Sequence, residues 1–384
     1  MTQNPRRIAA VGLAILLIIG VGYGIVSSAR DTLGPAAVTL HGLIGSEKAP
    51  FFADPRVAGA LKRGGFVVNV STKGSRQIAA ADLSKEDFAF PAGVPAAEKI
   101  RVDHAGSKAV VPFYTPMAIA TWKPIVDLLV SACVAHVSAD ITTLNVDAYM
   151  KLVDKNTRWK DLPGNTTYPV NKSILITSTD VRKSNSAAMY LSLASYVANG
   201  DNIVENDAEG AAIMARLTPL FLRQGFQASS TEEPFDDYLV QGIGKSPMVM
   251  IYESQFIQRA AAADGSITKD MVLMYPDPTI FSKHTYVGLT PNGIRLGDFL
   301  SADPEMRSLA TEYGFRTTDT AAFTTFVANH KLSVPASIID VIESPTYEAL
   351  EAMITRIEAA YASQGGGLPA PSTGGLSVSP SAAP

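Results

Sequence analysis

Three clusters of small polar residues follow apolar, β-rich runs, at points where the chain changes from a strand pattern to a helix pattern. They are Ser46 and Glu47 in LHGLIGSEKAPFF, Ser71, Thr72 and Ser75 in NVSTKGSRQIA, and Ser184, Asn185 and Ser186 in LITSTDVRKSNSAAMYL. Hydroxyl groups and the free N–H groups of a helix start bind small polar or anionic ligands outside the carboxyl ends of strands in α/β folds. The clusters therefore predict a binding site for a small, polar or oxyanionic ligand.

Each cluster has a structural alternative, because Ser and Asn also cap helices and occupy turns. Two further candidates follow apolar strands. Glu253 ends PMVMIY and starts the next helical pattern, so its carboxylate suits either a ligand contact or the helix N-terminus. Tyr275 ends VLMY before a proline, and its ring suits either a pocket wall or the core. The sequence alone does not decide between the ligand-binding and the structural role of either Glu253 or Tyr275.

Catalytic and metal-binding motifs are missing from the sequence. It contains no G-x-S-x-G and no H-E-x-x-H, and its five histidines lie far apart along the chain. The string GIGKS at 242–246 resembles a phosphate loop, but Leu239 stands where that loop requires its first glycine. The sequence therefore predicts a binding protein that is not an enzyme and uses no cofactor and no metal ion.

Length and composition narrow the class of protein further. The chain has 384 residues, enough for two lobes, and a net charge of −4 with acids and bases interspersed. The basic residues are not clustered into a stripe that could follow a phosphate backbone, so nucleic acid is excluded as a partner. Cys133 is the sequence's only cysteine, which rules out an intramolecular disulfide.

The first thirty residues predict export. Arg6 and Arg7 precede the uncharged apolar run 8–29, which is long enough to cross about 30 Å of hydrocarbon as a helix. A cleaved signal peptide is the alternative, but its apolar region is normally only about 7–15 residues. We expect a single-pass anchor in the cell membrane with the soluble body outside the cytoplasm. The Gly-, Pro- and Ser-rich segment 364–384 is predicted to be a disordered tail.

Between anchor and tail, strand and helix patterns alternate, which is typical of an α/β fold with largely parallel sheets. The predicted strands are 38–44, 66–71, 174–177, 248–252 and 271–275. The predicted helices are 55–63, 124–136, 186–198, 208–224, 254–263 and 347–362.

The order of these segments resembles that of actinobacterial extracellular solute-binding proteins with the type 2 periplasmic-binding-protein fold. The likeness covers roughly 38–362 and is carried by VTLHGLIGSEKAPFFADPRVAGALKRGGFVVNV, STKGSRQIA, STDVRKSNSAAMYLSLAS, PMVMIYES and VLMYPDPT, in that order. The resemblance implies two lobes joined by a hinge, which close on a ligand in the cleft between them. By motif it assigns the first two polar clusters to one lobe and the third to the other.

The implied division has a cytoplasmic segment, the span, a first lobe in two parts around a second lobe, and the tail. The cytoplasmic segment is 1–7 and the transmembrane span is 8–29. The first lobe consists of 36–120 and 263–363, the second lobe of 121–262, and the tail of 364–384. The resemblance also implies crossings between the lobes near 117–121 and 253–263.

Three features depart from the family's pattern, namely the transmembrane anchor in place of a lipid, Asn185 in place of a frequent glycine, and the tail. The ligand and the membrane partner, a permease or an envelope complex, therefore stay open. Two other functions remain: an interaction module of an envelope complex without a small ligand, and an extracytoplasmic hydrolase using Ser184 or Ser186 as nucleophile.

Overall fold

The computed structural model describes residues 37–225, 227–338 and 340–363. The predicted span 8–29 and the predicted tail 364–384 both lie outside these ranges. Within them, no helix has both the length and the apolar character needed to cross a bilayer.

Ten strands form the sheets of the described body. They are β1 Val38–Ile44, β2 Phe66–Thr72, β3 Phe88–Phe90, β4 Lys108–Trp122, β5 Ala135–Ser138, β6 Ile141–Asn145, β7 Met248–Tyr252, β8 Met271–Asp277, β9 Thr279–Gly288 and β10 Val341–Ile342.

Fourteen helices surround these strands in the described residues. They are α1 Ala49–Ala53, α2 Pro55–Arg63, α3 Ser75–Ala79, α4 Val94–Asp103, α5 Lys123–Ser131, α6 Val146–Asp154, α7 Asn185–Ala198, α8 Asp207–Leu222, α9 Glu232–Gln241, α10 Glu253–Ala261, α11 Pro291–Ala302, α12 Pro304–Glu312, α13 Thr320–Asn329 and α14 Tyr347–Ser363.

The long strand β4 belongs to two sheets. Up to Pro116 it pairs with β9 in a first sheet of order β2-β1-β3-β9-β4, and from Met117 it pairs with β7 and β8 in a second sheet that continues to β6 and β5. The change of partner at Met117 agrees with the predicted first crossing. The chain returns from the second sheet to the first at Asp277–Thr279, between β8 and β9, and not near 253–263.

Both sheets are mixed, which corrects the prediction of largely parallel sheets. β1 pairs in parallel with β2 and β3, and β6 with β8, whereas β9 runs antiparallel to β3 and β4. The antiparallel pairs arise because β4, β8 and β9 connect the two sheets directly, without a crossover helix.

Each sheet is covered on both faces. The first sheet buries Leu40, Phe51 and Phe113 on one face and Leu43 and Ile100 on the other. The second sheet buries a larger cluster with α6, α7 and α8 on one face and a smaller one with α9 and α10 on the other. Two hydrophobic cores follow, one for each lobe.

The predicted strands and helices agree closely with the structure, with two exceptions. Residues 174–177 make only an isolated bridge, Thr177 to Val249, and do not form a strand. The predicted helix 124–136 ends at Ser131, since the chain turns at Cys133, with φ at 56°, into β5. The division into lobes stays a prediction, although β8 pairs in the second sheet and α14 packs into the core of the second lobe.

Candidate functional site

A cavity of about 370 Å³ lies where loops of the two lobes face each other, and we call it the cleft cavity. Six of the sequence-predicted residues line it: Ser46, Glu47, Thr72, Ser75, Ser184 and Asn185. Residues not predicted from the sequence complete the lining, among them Lys73, Gln77, Lys183, Ser229, Ser230, Thr231 and Tyr252. The polar clusters thus meet in one place although they are far apart in the chain.

Glu47 belongs to a buried charged triad at the base of the first loop. Its carboxylate accepts a hydrogen bond from the Lys48 ammonium, and Lys48 Nζ also lies 3.1 Å from His284 Nδ1. Lys48 and His284 are fully buried. The turn fits around this carboxylate, because a Cβ on Gly45 would lie 2.2 Å from Glu47 Oε1. Gly45 therefore makes room for Glu47.

The triad fixes the charge of its members. Burial alone would raise the pKa of Glu47, but Lys48 and His284 hold that pKa well below its usual range. Burial and the Lys48 ammonium lower the pKa of His284 to about 4, against the opposing effect of Glu47. His284 is therefore neutral near pH 7, and its Nε2 has no hydrogen-bond partner among the described residues.

We expect stability to fall on acidification because the unfolded chain protonates His284 first. With an unfolded pKa near 6.5 and a folded pKa of about 4, the loss runs from about pH 6.5 to about pH 4 and amounts to about 3 kcal/mol at most. Guanidinium unfolding at several pH values should show this slope in the wild type and a flatter one in His284→Gln. Equal slopes in that window would contradict the assignment, whereas above pH 7 the two slopes should agree.

The second loop places Thr72 and Ser75 at the cleft cavity and leaves Ser71 outside it. Ser71 is paired with Leu43 in the sheet, and successive side chains of a strand point to opposite faces. Ser75 Oγ accepts a hydrogen bond from Ala92 N at 2.9 Å, which leaves its own proton free to donate.

The third loop begins α7. Ser184 and Asn185 line the cleft cavity, whereas Ser186 is buried and its Oγ lies 2.9 Å from Thr179 Oγ1 and 3.0 Å from Ser184 Oγ. Asn185 Nδ2 donates to Tyr252 Oη at 3.1 Å. Burial, with the nearby Glu47, raises the pKa of Tyr252 far above its usual range, so the phenol keeps its proton and can donate it.

A fourth loop, Ser229–Thr231, was not predicted as part of the site. It precedes α9, and its three hydroxyl-bearing residues all line the cleft cavity. The sequence signal was present, because three hydroxyl residues stand before two acidic residues of a helix start in ASSTEE. That pattern gives a helix start but does not indicate which surface it faces.

The two lobes touch at this cavity. Arg76 Nη1 donates to the Arg182 carbonyl oxygen at 3.1 Å, and Arg76 Nε donates to Glu351 at 2.6 Å. A Cβ on Gly74 would lie only 2.2 Å from the carbonyl oxygen of Lys183. Only glycine therefore allows this close approach of the second loop to the third.

Lysine residues of two loops line the cleft cavity. Lys73 follows β2 and Lys183 precedes α7, both are exposed, and neither makes an ion pair with any residue that the structure describes. Uncompensated ammonium groups beside hydroxyl donors attract an anion. No cluster of metal-ligating side chains occurs in the described ranges.

Glu253 and Tyr275 lie away from the cleft cavity, in a buried cluster. Arg316 donates to both carboxylate oxygens of Glu253, through Nε and Nη2, each at 2.7 Å, and the Tyr275 hydroxyl donates to Glu253 at 2.6 Å. Arg316 Nη2 also donates to the Pro335 carbonyl at 2.7 Å. These hydrogen bonds connect Glu253 in α10 and Tyr275 in β8 with Arg316 in the segment after α12.

Comparison with known proteins bears on the fold. No protein-family model and no curated protein sequence matches the chain. Iron-bound HitA from Pseudomonas aeruginosa matches 83% of this chain and 99% of its own, with a TM-score of 0.53 and 12% identity. A periplasmic thiamin binding protein matches 86% of this chain and 99% of its own, with a TM-score of 0.52 and 13% identity.

A third solved structure, an ABC transporter from Clostridium perfringens ATCC 13124, matches 84% of this chain and 99% of its own, with a TM-score of 0.51 and 10% identity. At such identities the likeness establishes the fold. The chain has the two-lobed α/β fold of periplasmic solute-binding proteins.

Proposed function

We propose that this protein is a solute-binding protein that captures a small anionic solute in the cleft cavity by closure of its two lobes. The proposal includes anchoring through 8–29, a body outside the cytoplasm, and a membrane permease or envelope complex as the partner of the closed form. It also includes a relationship between this protein and the actinobacterial members of the fold class.

The observation that carries the proposal is the convergence of donors from both lobes on one cavity. Residues with hydroxyl groups from four loops line it, together with Lys73 and Lys183, which have no carboxylate partner in the described chain. Glu47 is already neutralised by Lys48, so the remaining lining has a positive excess. An anion would satisfy groups that belong to both lobes at once.

Closure follows from the same geometry. A ligand that contacts both lobes binds the closed form better than the open form, and only this difference in affinity can shift the equilibrium between them. The strands β4 and β8–β9 are the connections that would act as the hinge. β4 changes its pairing partners at Met117, and β8 leads into β9 at Asp277–Thr279.

Titration calorimetry and small-angle X-ray scattering of the full-length protein in detergent test the proposal. We expect sulfate, phosphate or a simple organic oxyanion to bind and to reduce the radius of gyration of the body. An absence of heat with every oxyanion probe would overturn the proposed function.

Lys73→Ala and Lys183→Ala should each weaken oxyanion binding by about 5- to 10-fold at low salt, because each removes roughly 1 kcal/mol of attraction at a solvated site. The loss should shrink as salt rises. Lys62→Ala, an exposed lysine of α2 away from the cavity, serves as the control and should bind as the wild type does. Unchanged affinity in both cavity variants would contradict the assigned role.

A further inference from the structure

A second cavity of about 390 Å³ adjoins the cleft cavity, and we call it the acidic cavity. Its lining includes the carboxylates of Glu47, Glu232, Asp236 and Asp264, one guanidinium, that of Arg259, and the apolar side chain of Phe235. Glu47 lines both cavities. At the start of α9 the neighbours Thr231 and Glu232 also line one cavity each, so the two cavities are adjacent.

The carboxylates of the acidic cavity outnumber its cationic groups, so the cavity has a negative excess. Glu47 is paired with Lys48, and Asp236 with Arg259 at 3.1 Å. Glu232 and Asp264 make no ion pair with any residue in the described ranges. The carboxylates also influence one another, because burial, Asp236 and Glu47 raise the pKa of Glu232. A cation in this cavity would relieve that repulsion.

Glu47 provides an independent indication of a ligand. Its side chain is only 9% exposed, and the neighbouring Lys48 and His284 both approach the same oxygen, Oε1. Oε2 accepts no hydrogen bond from any described residue, on a side chain that faces both cavities. Since the ionised carboxylate is only an acceptor, Oε2 is free to accept a hydrogen bond from a ligand donor. An oxyanion without a proton donor would instead be repelled there.

We propose that the solute is a zwitterion whose oxyanion occupies the cleft cavity and whose ammonium group enters the acidic cavity and donates to Glu47 Oε2. This inference rests on the proposed function and narrows its ligand to molecules that carry both charges. Lys73 and Lys183 attract the anionic end, and Glu232 and Asp264 attract the cationic end. The combined space exceeds what an inorganic oxyanion fills and is in the range of organic ligand sites.

Two pairs of probes that differ only in the amine test the inference by titration calorimetry on the full-length protein. They are taurine against ethanesulfonate, and 2-aminoethylphosphonate against ethylphosphonate. A charged hydrogen bond with partial desolvation predicts that the aminated member of at least one pair binds about 10- to 100-fold more tightly.

The double variant Glu232→Gln, Asp264→Asn should reduce this preference to less than about threefold without weakening the plain oxyanion. Glu233→Gln is the matched control, because Glu233 follows directly on the same helix but lines a different cavity, and it should retain the wild-type preference. Thermal melting should show that the variants remain folded, because neither Glu232 nor Asp264 makes an ion pair in the described ranges.

The outcomes separate the inference from the proposed function. If plain oxyanions bind as tightly as their aminated partners, or if the double variant keeps the full preference for the aminated probe, the zwitterion proposal is wrong and the anion-binding function stands. If neither pair binds, nor sulfate, nor phosphate, both proposals fail.

Discussion

Replacing Gly74 with alanine is expected to lower the affinity for the proposed anionic solute by about 10- to 100-fold. The new Cβ would lie 2.2 Å from the carbonyl oxygen of Lys183, and this contact exists only while the two lobes touch. Overpacking of this kind destabilises a structure by about 1–3 kcal/mol, and here it would destabilise the closed form. The backbone itself is not strained by alanine, since φ at Gly74 is −64°.

Calorimetry measures the loss of affinity, and scattering should show that the variant remains more extended when ligand is added. Gly59→Ala is the matched control, because a Cβ at Gly59 would meet only the end of Arg63, at 3.5 Å. It should close and bind as the wild type does. If Gly74→Ala binds with wild-type affinity, the contact between the second and third loops is not part of the ligand-bound form.

Replacing Arg316 with methionine is expected to reduce the free energy of unfolding by about 3–5 kcal/mol. The side chains of Arg316 and Glu253 are 6% and 0% exposed, so the variant leaves a buried carboxylate with only the Tyr275 hydroxyl as donor. Two carbonyl oxygens, of Pro335 and Ala336, lose their donor as well. Guanidinium denaturation measures the effect.

An exposed pair provides the control. Arg63 and Glu305 lie 2.6 Å apart, with 63% and 50% of their side chains exposed, so Arg63→Met should cost less than about 1 kcal/mol. Adding Glu253→Gln to Arg316→Met should restore part of the lost stability, because it removes the uncompensated charge. A cost for Arg316→Met as small as that of Arg63→Met would show that the cluster does not hold these elements together.

Sequence reasoning brought residues to one cavity most reliably where it depended on strand ends. Ser46 and Thr72 lie at the carboxyl ends of β1 and β2, which are parallel neighbours, so their loops had to open on the same edge of the sheet. The prediction of Ser71 shows the limit. One residue decides which face of a strand a side chain occupies, and the end of a strand cannot be placed that accurately from a pattern.

The ion-pair partners of the buried carboxylates could not be predicted from the sequence, for a different reason. Glu253 stands at a helix start in the sequence, and nothing near it indicates Arg316, which is 63 residues away. The partners Lys48 and His284 are 236 residues apart. Whether a carboxylate faces a ligand or an internal cation depends on such distant partners, and so the local pattern could not separate the two roles of Glu253.

The sequence by itself determined the types of most elements, the small polar residues that follow the strands, and the absence of catalytic motifs, because these depend on periodicity and on neighbouring residues. Only the tertiary structure decided that Lys73, Lys183 and Ser229–Thr231 share one cavity, that Gly74 must be glycine, and that an acidic cavity adjoins the first one. Long-range packing brings these groups together, and local patterns carry no record of which surfaces will face each other.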